Sequence, residues 1–288
     1  MTDDSHEAGG SALEWVWPIA FIACAAWAVW HLPSYMLEWI PPESESAFDR
    51  LSGQYQRTDV TPNIGGVFGG FVDIIDLIAL IGIPVLGFFG VRSVRRAHME
   101  HFEWNIFDKL SVFLGRVTMM LIVLLLAVMI YEVMLRYVFE RPTLWANELS
   151  LWIAGFVFLL AGLYAMQQRS HIRIFIVYDL MPRWLQRTCD TVSTLLILGF
   201  TAGLIWGAYG EASAQFFRWE TLGTAFDPPI PATLTPMILI AVSLVTLQAF
   251  SNLVRDWNRE PEIHTAADEI DEDEIAALKR ALGETDDV

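Results

Sequence analysis

The chain has 288 residues, of which 54% are hydrophobic, and its formal net charge is −16 at pH 7. This charge is unevenly placed: residues 1–14 contribute −4 and residues 260–288 contribute −9, which leaves −3 for residues 15–259. A nearly neutral, apolar body with acidic ends excludes a nucleic-acid-binding protein, which needs clustered basic surface, and it excludes wholesale disorder.

Six apolar segments approach or exceed the length of about 20 residues that a helix needs to cross a bilayer. They cover residues 15–32, 67–91, 110–135, 149–168, 191–210 and 228–254. Prolines at the start of the last segment predict that its helix proper begins near Leu234. The sequence therefore predicts an all-α integral membrane protein with six transmembrane helices.

The basic residues between these segments predict the orientation of the chain in the membrane. If the N-terminus is cytoplasmic, thirteen Lys and Arg residues lie on the inner side and five on the outer side. Both termini are thus expected in the cytoplasm. Residues 171–187 are too short and too charged to span, and their mixture of Ile, Phe, Trp and Arg predicts an amphipathic helix on the inner membrane face.

Asp73 and Asp76 are three residues apart, and so they share one face of the second predicted helix. Both lie in its first turns, where the helix dipole favours negative charge, and this position predicts a helix N-terminus at the outer surface. Because carboxylates within a membrane segment also occur in ion and proton pathways, a cation or proton site remains the alternative.

The sequence gives little support to catalysis or to a bound cofactor. It has no GxSxG, HExxH or GxxxxGK[ST] motif, and its two cysteines have no CxxC partner. Since none of the six histidines lies in the middle of a span, a haem held by two facing histidines is not expected. We therefore predict no enzyme, no cofactor and no metal; a membrane anchor or a cytochrome-like electron-transfer subunit is the alternative class.

Charged and aromatic residues cluster at the outer end of the third span. They are Arg136, Tyr137, Phe139, Pro142, Trp145 and Glu148. Charges so close to hydrocarbon are costly unless they are paired or reach the surface. One interpretation is an Arg136–Glu148 ion pair that fixes the turn between two spans, and the other is a docking surface for a second protein.

The stretch RYVFERPTLWANEL at residues 136–149 resembles the small membrane subunit of tripartite ATP-independent periplasmic (TRAP) transporters, in which an R-Y-x-F-x-x-P-x-x-W-x-x-E-like pattern follows the first span. Further similarity lies in Gly162 and Tyr164, in residues 170–174 with His171 and Arg173, in Pro182, and in the Pro-rich residues 227–236. The family's H-I-R-V-D-like run commonly closes with an acidic residue, where this chain has Phe175. The resemblance covers about residues 108–256.

The resemblance implies a subunit of a bacterial inner-membrane transporter. In this family a periplasmic substrate-binding protein delivers an organic anion such as a carboxylate, and a large permease subunit carries it inward with sodium. The small subunit braces the large permease and helps to receive the binding protein. By this reading Arg136, Trp145 and Glu148 shape the outer junction with these partners and with membrane lipid, and His171 and Arg173 anchor the inner one.

The usual small subunit has four spans, and so this chain divides into four predicted parts. Residues 1–14 are an acidic tail, residues 15–107 an extension with two transmembrane helices, residues 108–259 the four-helix small-subunit domain, and residues 260–288 an acidic cytoplasmic tail. The first two helices are expected to pack on the other four, as additional bracing or as a further surface for a partner.

Overall fold

The computed structural model describes residues 13–40, 49, 71–95, 105–168, 178 and 181–257. Its elements are α1 (Leu13–Trp30), α2 (Leu32–Trp39), α3 (Ile74–Ser93), α4 (Ile106–Tyr137), α5 (Ala146–Gln167), α6 (Arg183–Phe217) and α7 (Ile230–Asp256). Five of these, α3 to α7, are long and apolar enough to cross a membrane, and the bent pair α1–α2 makes a sixth if it counts as one span. The all-α membrane architecture predicted from the sequence is confirmed.

Several helix boundaries differ from those predicted, and three of the differences have a clear local cause. α1 ends at Trp30 and turns by 56° into the short α2, because Pro33 begins a new helix there. α6 begins at Arg183, directly after Pro182, and continues to Phe217. α7 begins at Ile230 rather than near Leu234, since Pro231 occupies its first turn, where the missing N–H costs no helical hydrogen bond.

The long α6 corrects part of the amphipathic-helix prediction for residues 171–187. Arg183 to Arg187 form the first turns of the membrane-crossing helix itself, because residues 183–198 contain no proline or glycine that would end it. Gln186 is buried there, and its Nε2 donates to the carbonyl oxygen of Tyr178 at 3.1 Å. Residues 171–177, 179 and 180 of this segment lie outside the described residues.

Four helices form one body: α5 packs between α4 and α7, and α6 packs on the far side of α7. α1 and α3 pack against each other and both contact α4. They run antiparallel, because Glu14 of α1 meets Arg95 at the end of α3, whereas Trp27 of α1 meets Asp76 at its start. The extension is thus packed directly onto the rest of the chain.

A core cluster of Phe113, Val117 and Leu160 joins these two groups of helices, with partly buried side chains of α1, α3 and α7 around it. Gly90 of α3 allows the approach to α4, because a Cβ at this position would lie 2.2 Å from Cε2 of Phe113. A second cluster joins Met36 and Leu37 of α2 to Trp219 and Ala232 near the opposite end of the bundle.

Charged and polar side chains mark both ends of the hydrocarbon-facing part. In α4, Arg116 and Glu132 lie sixteen positions apart with no charged residue between them, which corresponds to about 24 Å along the helix axis. Asp76 and Arg92 bracket a stretch of the same length in α3. These layers are consistent with a hydrocarbon core of about 30 Å, since Arg and Glu side chains can extend toward the interface.

Candidate functional site

The outer junction, residues 132–148, connects α4 to α5 around the buried carboxylate of Glu132. Only 3% of Glu132 is exposed, although it lies one turn from the end of a membrane helix. Its Oε1 accepts hydrogen bonds from Nε of Arg136 at 3.1 Å and Nη2 of Arg136 at 2.6 Å. Its Oε2 accepts from the backbone N–H of Thr143 at 3.1 Å and from the Thr143 hydroxyl. One carboxylate thereby fastens the last turn of α4 to the segment that begins α5.

The Arg136–Glu148 ion pair, one of the two interpretations of the sequence, is wrong, because each of these residues has a different partner. Arg136 pairs with Glu132 one turn earlier, whereas Glu148 Oε2 accepts a hydrogen bond from the Thr224 hydroxyl at 2.6 Å. Thr224 lies between α6 and α7, and so Glu148 ties the start of α5 to that connection. The sequence analysis began the outer cluster at Arg136 and therefore missed Glu132, although the i, i+4 spacing of these two residues was an available signal.

The other predicted residues of the outer junction are exposed or half-buried at its surface. Tyr137, Phe139 and Pro142 are exposed. Trp145 is half-buried and its ring lies 5.9 Å from that of Tyr131. The junction therefore has a hydrogen-bonded interior and an exposed aromatic outer surface, which suits contact with a lipid interface or with another protein.

The two predicted residues of the inner junction, His171 and Arg173, lie outside the described residues. At the end of the helices opposite the outer junction, which the sequence predicts to be the inner end, the structure shows a different polar cluster. We call it the inner clamp, and its residues are Asp108, Ser111, Gln248, Asn252 and Arg255. Asp108 is fully buried and binds both Gln248 Nε2, at 2.7 Å, and the Arg255 guanidinium. Asn252 Nδ2 donates to the carbonyl oxygen of Met166 at 2.9 Å, so the clamp joins α4, α7 and the end of α5.

α6 contacts α7 along one face and leaves a glycine face opposite. Thr201 and Ala212 are buried on the α7 side, where the Thr201 and Thr246 hydroxyls are 2.6 Å apart. Gly199, Gly203 and Gly207 repeat every four residues on the other side, and a Cβ added to any of them would meet no atom within 4 Å. Trp206, beside these glycines, is 91% exposed.

The prediction that Asp73 and Asp76 mark a helix N-terminus is confirmed. Asp73 is the N-cap of α3 and accepts from the backbone N–H groups of Ile75 and Asp76, both at 2.9 Å. Asp76 in turn accepts from the backbone N–H of Asp73 at 3.1 Å, which completes a capping box. Asp76 also accepts from Trp27 Nε1 at 2.8 Å, and this bond ties α3 to α1.

Comparison with known proteins adds one match. A family model described as "Tripartite ATP-independent periplasmic transporters, DctQ component" matches residues 125–259. The matched range begins within α4 and includes all of α5, α6, α7 and the outer junction. No curated protein and no solved structure matches the chain.

Proposed function

From the match of residues 125–259 to the family model of the DctQ component of tripartite ATP-independent periplasmic transporters, we propose that this chain is the small, multi-pass inner-membrane subunit of such a transporter. It braces the large permease subunit and helps to receive the periplasmic substrate-binding protein. The complex takes up an organic anion, such as a carboxylate, and sodium drives this uptake. The family match is the observation that carries this proposal, and the resemblance of residues 136–149 to the family supports it.

The glycine face of α6 supports a lateral contact with another membrane helix. Within a bilayer the hydrophobic effect does not draw helices together, and association depends on close packing of small residues. Gly199, Gly203 and Gly207 form such a face, turned away from α7, the helix against which α6 is packed. We place the large permease against this face.

The outer junction supports the second part of the proposal, the reception of the binding protein. Glu132, Arg136 and Thr143 hold its backbone in one shape, while Tyr137 and Phe139 remain exposed. A fixed surface requires less ordering on association than a flexible one. Arg136, Trp145 and Glu148 keep the structural role proposed for them, with Glu132 and Thr224 as partners, and His171 and Arg173 remain proposed anchors of the inner side.

The topology belongs to the same proposal: both termini in the cytoplasm, with the outer junction facing the periplasm. Residues 15–107 act as bracing for the four-helix domain at 108–259, since α1, α2 and α3 pack on that domain. A chain shortened to begin at Glu103 tests this role. We expect it to assemble poorly with the permease, and assembly at the wild-type yield would show that the extension is dispensable.

Uptake by cells tests the proposed function itself. Cells that lack this chain but contain the other two components should accumulate no labelled substrate, and the full chain should restore uptake only in the presence of sodium. A panel of small carboxylates serves as the substrate set. Uptake that continues without the chain, or that ignores sodium, would contradict the proposal.

A further inference from the structure

The connection between α6 and α7, residues 218–229, is held in one shape; we call it the outer loop. The backbone N–H of Gly223 donates to Oδ1 of Asp227 at 2.7 Å, which closes the loop on itself. Trp219 and Asp227 have φ angles of 47° and 55°, in the left-handed region that residues other than glycine adopt infrequently. Such a backbone persists only where the surrounding structure imposes it, and it is frequent at functional sites.

Both ends of the outer loop rest on the N-terminal extension. At its start, Trp219 is 2% exposed and packs in one cluster with Met36 and Leu37 of α2. Near its end, the ring of Phe226 stacks on that of Trp30, the last residue of α1, with the ring centres 6.0 Å apart. Both α1 and α2 precede the range that the family model matches. The support of the loop therefore comes from a part of the chain that lies outside the family match.

The tip of the outer loop is exposed, although its two ends are packed. The exposed residues of the tip are Leu222, Gly223, Thr224 and Ala225. The Thr224 hydroxyl donates to Oε2 of Glu148 at 2.6 Å, so the tip is continuous with the outer junction. A glycine lets a second molecule approach the backbone closely, and a fixed surface requires less ordering on association than a flexible one. The tip and the outer junction thus form one preorganised surface.

We propose that the tip of the outer loop is a second contact for the periplasmic substrate-binding protein, and that the extension serves to present it. This inference rests on the proposed function, in which the binding protein is received at this end of the bundle. The tip lies between two helix ends, Phe217 and Ile230, and so it is offered beyond the helices rather than along their sides, where a membrane partner packs. The extension then acts on the binding protein as well as on the permease.

The affinity of the binding protein for the complete transporter in nanodiscs tests the contact. Ala225→Arg should weaken this binding about tenfold, the loss typical of a residue that matters at an interface, while the permease co-purifies as with the wild-type chain. Because Ala225 is exposed, the variant should fold normally. Thr188→Arg is the matched control: it adds the same side chain at an exposed position near the other end of α6, and it should bind as the wild type does.

A second pair of variants tests the support that the extension gives to the loop. Trp30→Leu removes the ring that stacks on Phe226, and it should weaken the binding about threefold, the effect of losing one aromatic pair. Trp39→Leu is its control, because Trp39 belongs to the same extension but is 53% exposed and stacks on Tyr35 instead. This control should bind as the wild type does.

Three results would overturn the proposal. Wild-type affinity in Ala225→Arg would exclude the tip from the contact, and loss of the permease from this variant would assign the tip to the permease. Equal losses in Trp30→Leu and Trp39→Leu would show that the extension does not act through the outer loop. A wild-type transporter that binds no binding protein would instead contradict the proposed function itself, and so the two failures are distinguishable.

Discussion

Arg255 of α7 binds both carboxylate oxygens of Asp108 in α4, although 147 positions of sequence separate the two residues. Asp108 is fully buried. Nη2 of Arg255 lies 3.3 Å from Oδ1, and Nη1 contacts Oδ2 directly. The carboxylate also accepts from Gln248 and from the backbone N–H of Asn105 at the start of α4. Two helices that are distant in sequence are thus joined through one buried carboxylate at the end of the bundle opposite the outer junction.

Replacing one partner of this pair should strongly destabilise the bundle. Asp108→Asn removes the buried negative charge that binds the Arg255 guanidinium, and breaking a buried ion pair by removing one member costs about 3 kcal/mol or more. The midpoint of thermal unfolding in detergent should fall clearly. Lys109→Gln, in the next position, is the control and should leave the midpoint near the wild-type value. A midpoint for Asp108→Asn equal to that of Lys109→Gln would contradict the role of the inner clamp.

Glu132 should be needed for the outer junction to keep its shape. In Glu132→Gln the side chain loses its charge and cannot accept from Arg136 and Thr143 as a carboxylate does. We expect lower uptake at an unchanged amount of protein in the membrane, because the surface offered to the binding protein loosens. Glu140→Gln, an exposed change at the same end of α4, should transport normally. Normal uptake by Glu132→Gln would show that the Glu132 carboxylate is not needed to hold the outer junction in shape.

Gly90 should tolerate no side chain. Alanine is the better helix former by about 1 kcal/mol, so a change to alanine stabilises a helix unless packing opposes it. At Gly90 the added methyl group would lie 2.2 Å from the buried Phe113 ring, and such overpacking costs typically 1–3 kcal/mol.

Gly87→Ala provides the comparison, since its nearest atom, Cε2 of Phe21, is 3.8 Å away at an ordinary contact distance. The Gly90→Ala midpoint should fall, and that of Gly87→Ala should stay level or rise. Equal midpoints would mean that α3 does not pack against α4 as described.

The contact between α2 and the connection from α6 to α7 should contribute to stability. Leu37 is 6% exposed and packs in one cluster with Trp219, which is 2% exposed. Leu37→Ala should lower the unfolding midpoint, because truncating a buried leucine costs about 2 kcal/mol or more. Ile40→Ala, three residues later and 57% exposed, should have little effect. If the two changes were equal, α2 would not be part of the core.

The class of the fold could be predicted from the sequence, because long apolar runs need no tertiary information to be recognised as membrane helices. The placement of Asp73 and Asp76 at a helix N-terminus could also be predicted, since a capping box joins residues only three positions apart. The bonds of Asp108 to Arg255 and of Glu148 to Thr224 could not, because each pairs helices or connections that no local pattern relates. The start of α6 at Arg183 was missed for another reason: charged residues at a membrane surface suggest a separate helix, although nothing between residues 183 and 198 interrupts one.

A larger side chain on the glycine face of α6 should disturb the association with the permease but not the stability of the isolated subunit. Gly203→Leu adds a side chain that meets no atom of this chain within 4 Å at its Cβ, and so the isolated subunit should unfold at a normal temperature. Its association with the large permease should be lost. Ala127→Leu adds similar bulk on an exposed position of α4 and should leave association intact. If the Gly203→Leu variant associates normally, the permease does not bind the glycine face of α6.

Co-purification of the large permease with the tagged, full-length chain from membranes is the most direct measurement of the central claim. We expect both subunits to elute together in equal amounts in size-exclusion chromatography in mild detergent, and the Gly203→Leu chain to elute alone. A wild-type chain that elutes alone under the conditions in which the permease remains folded would contradict the assignment of this protein as its bracing subunit.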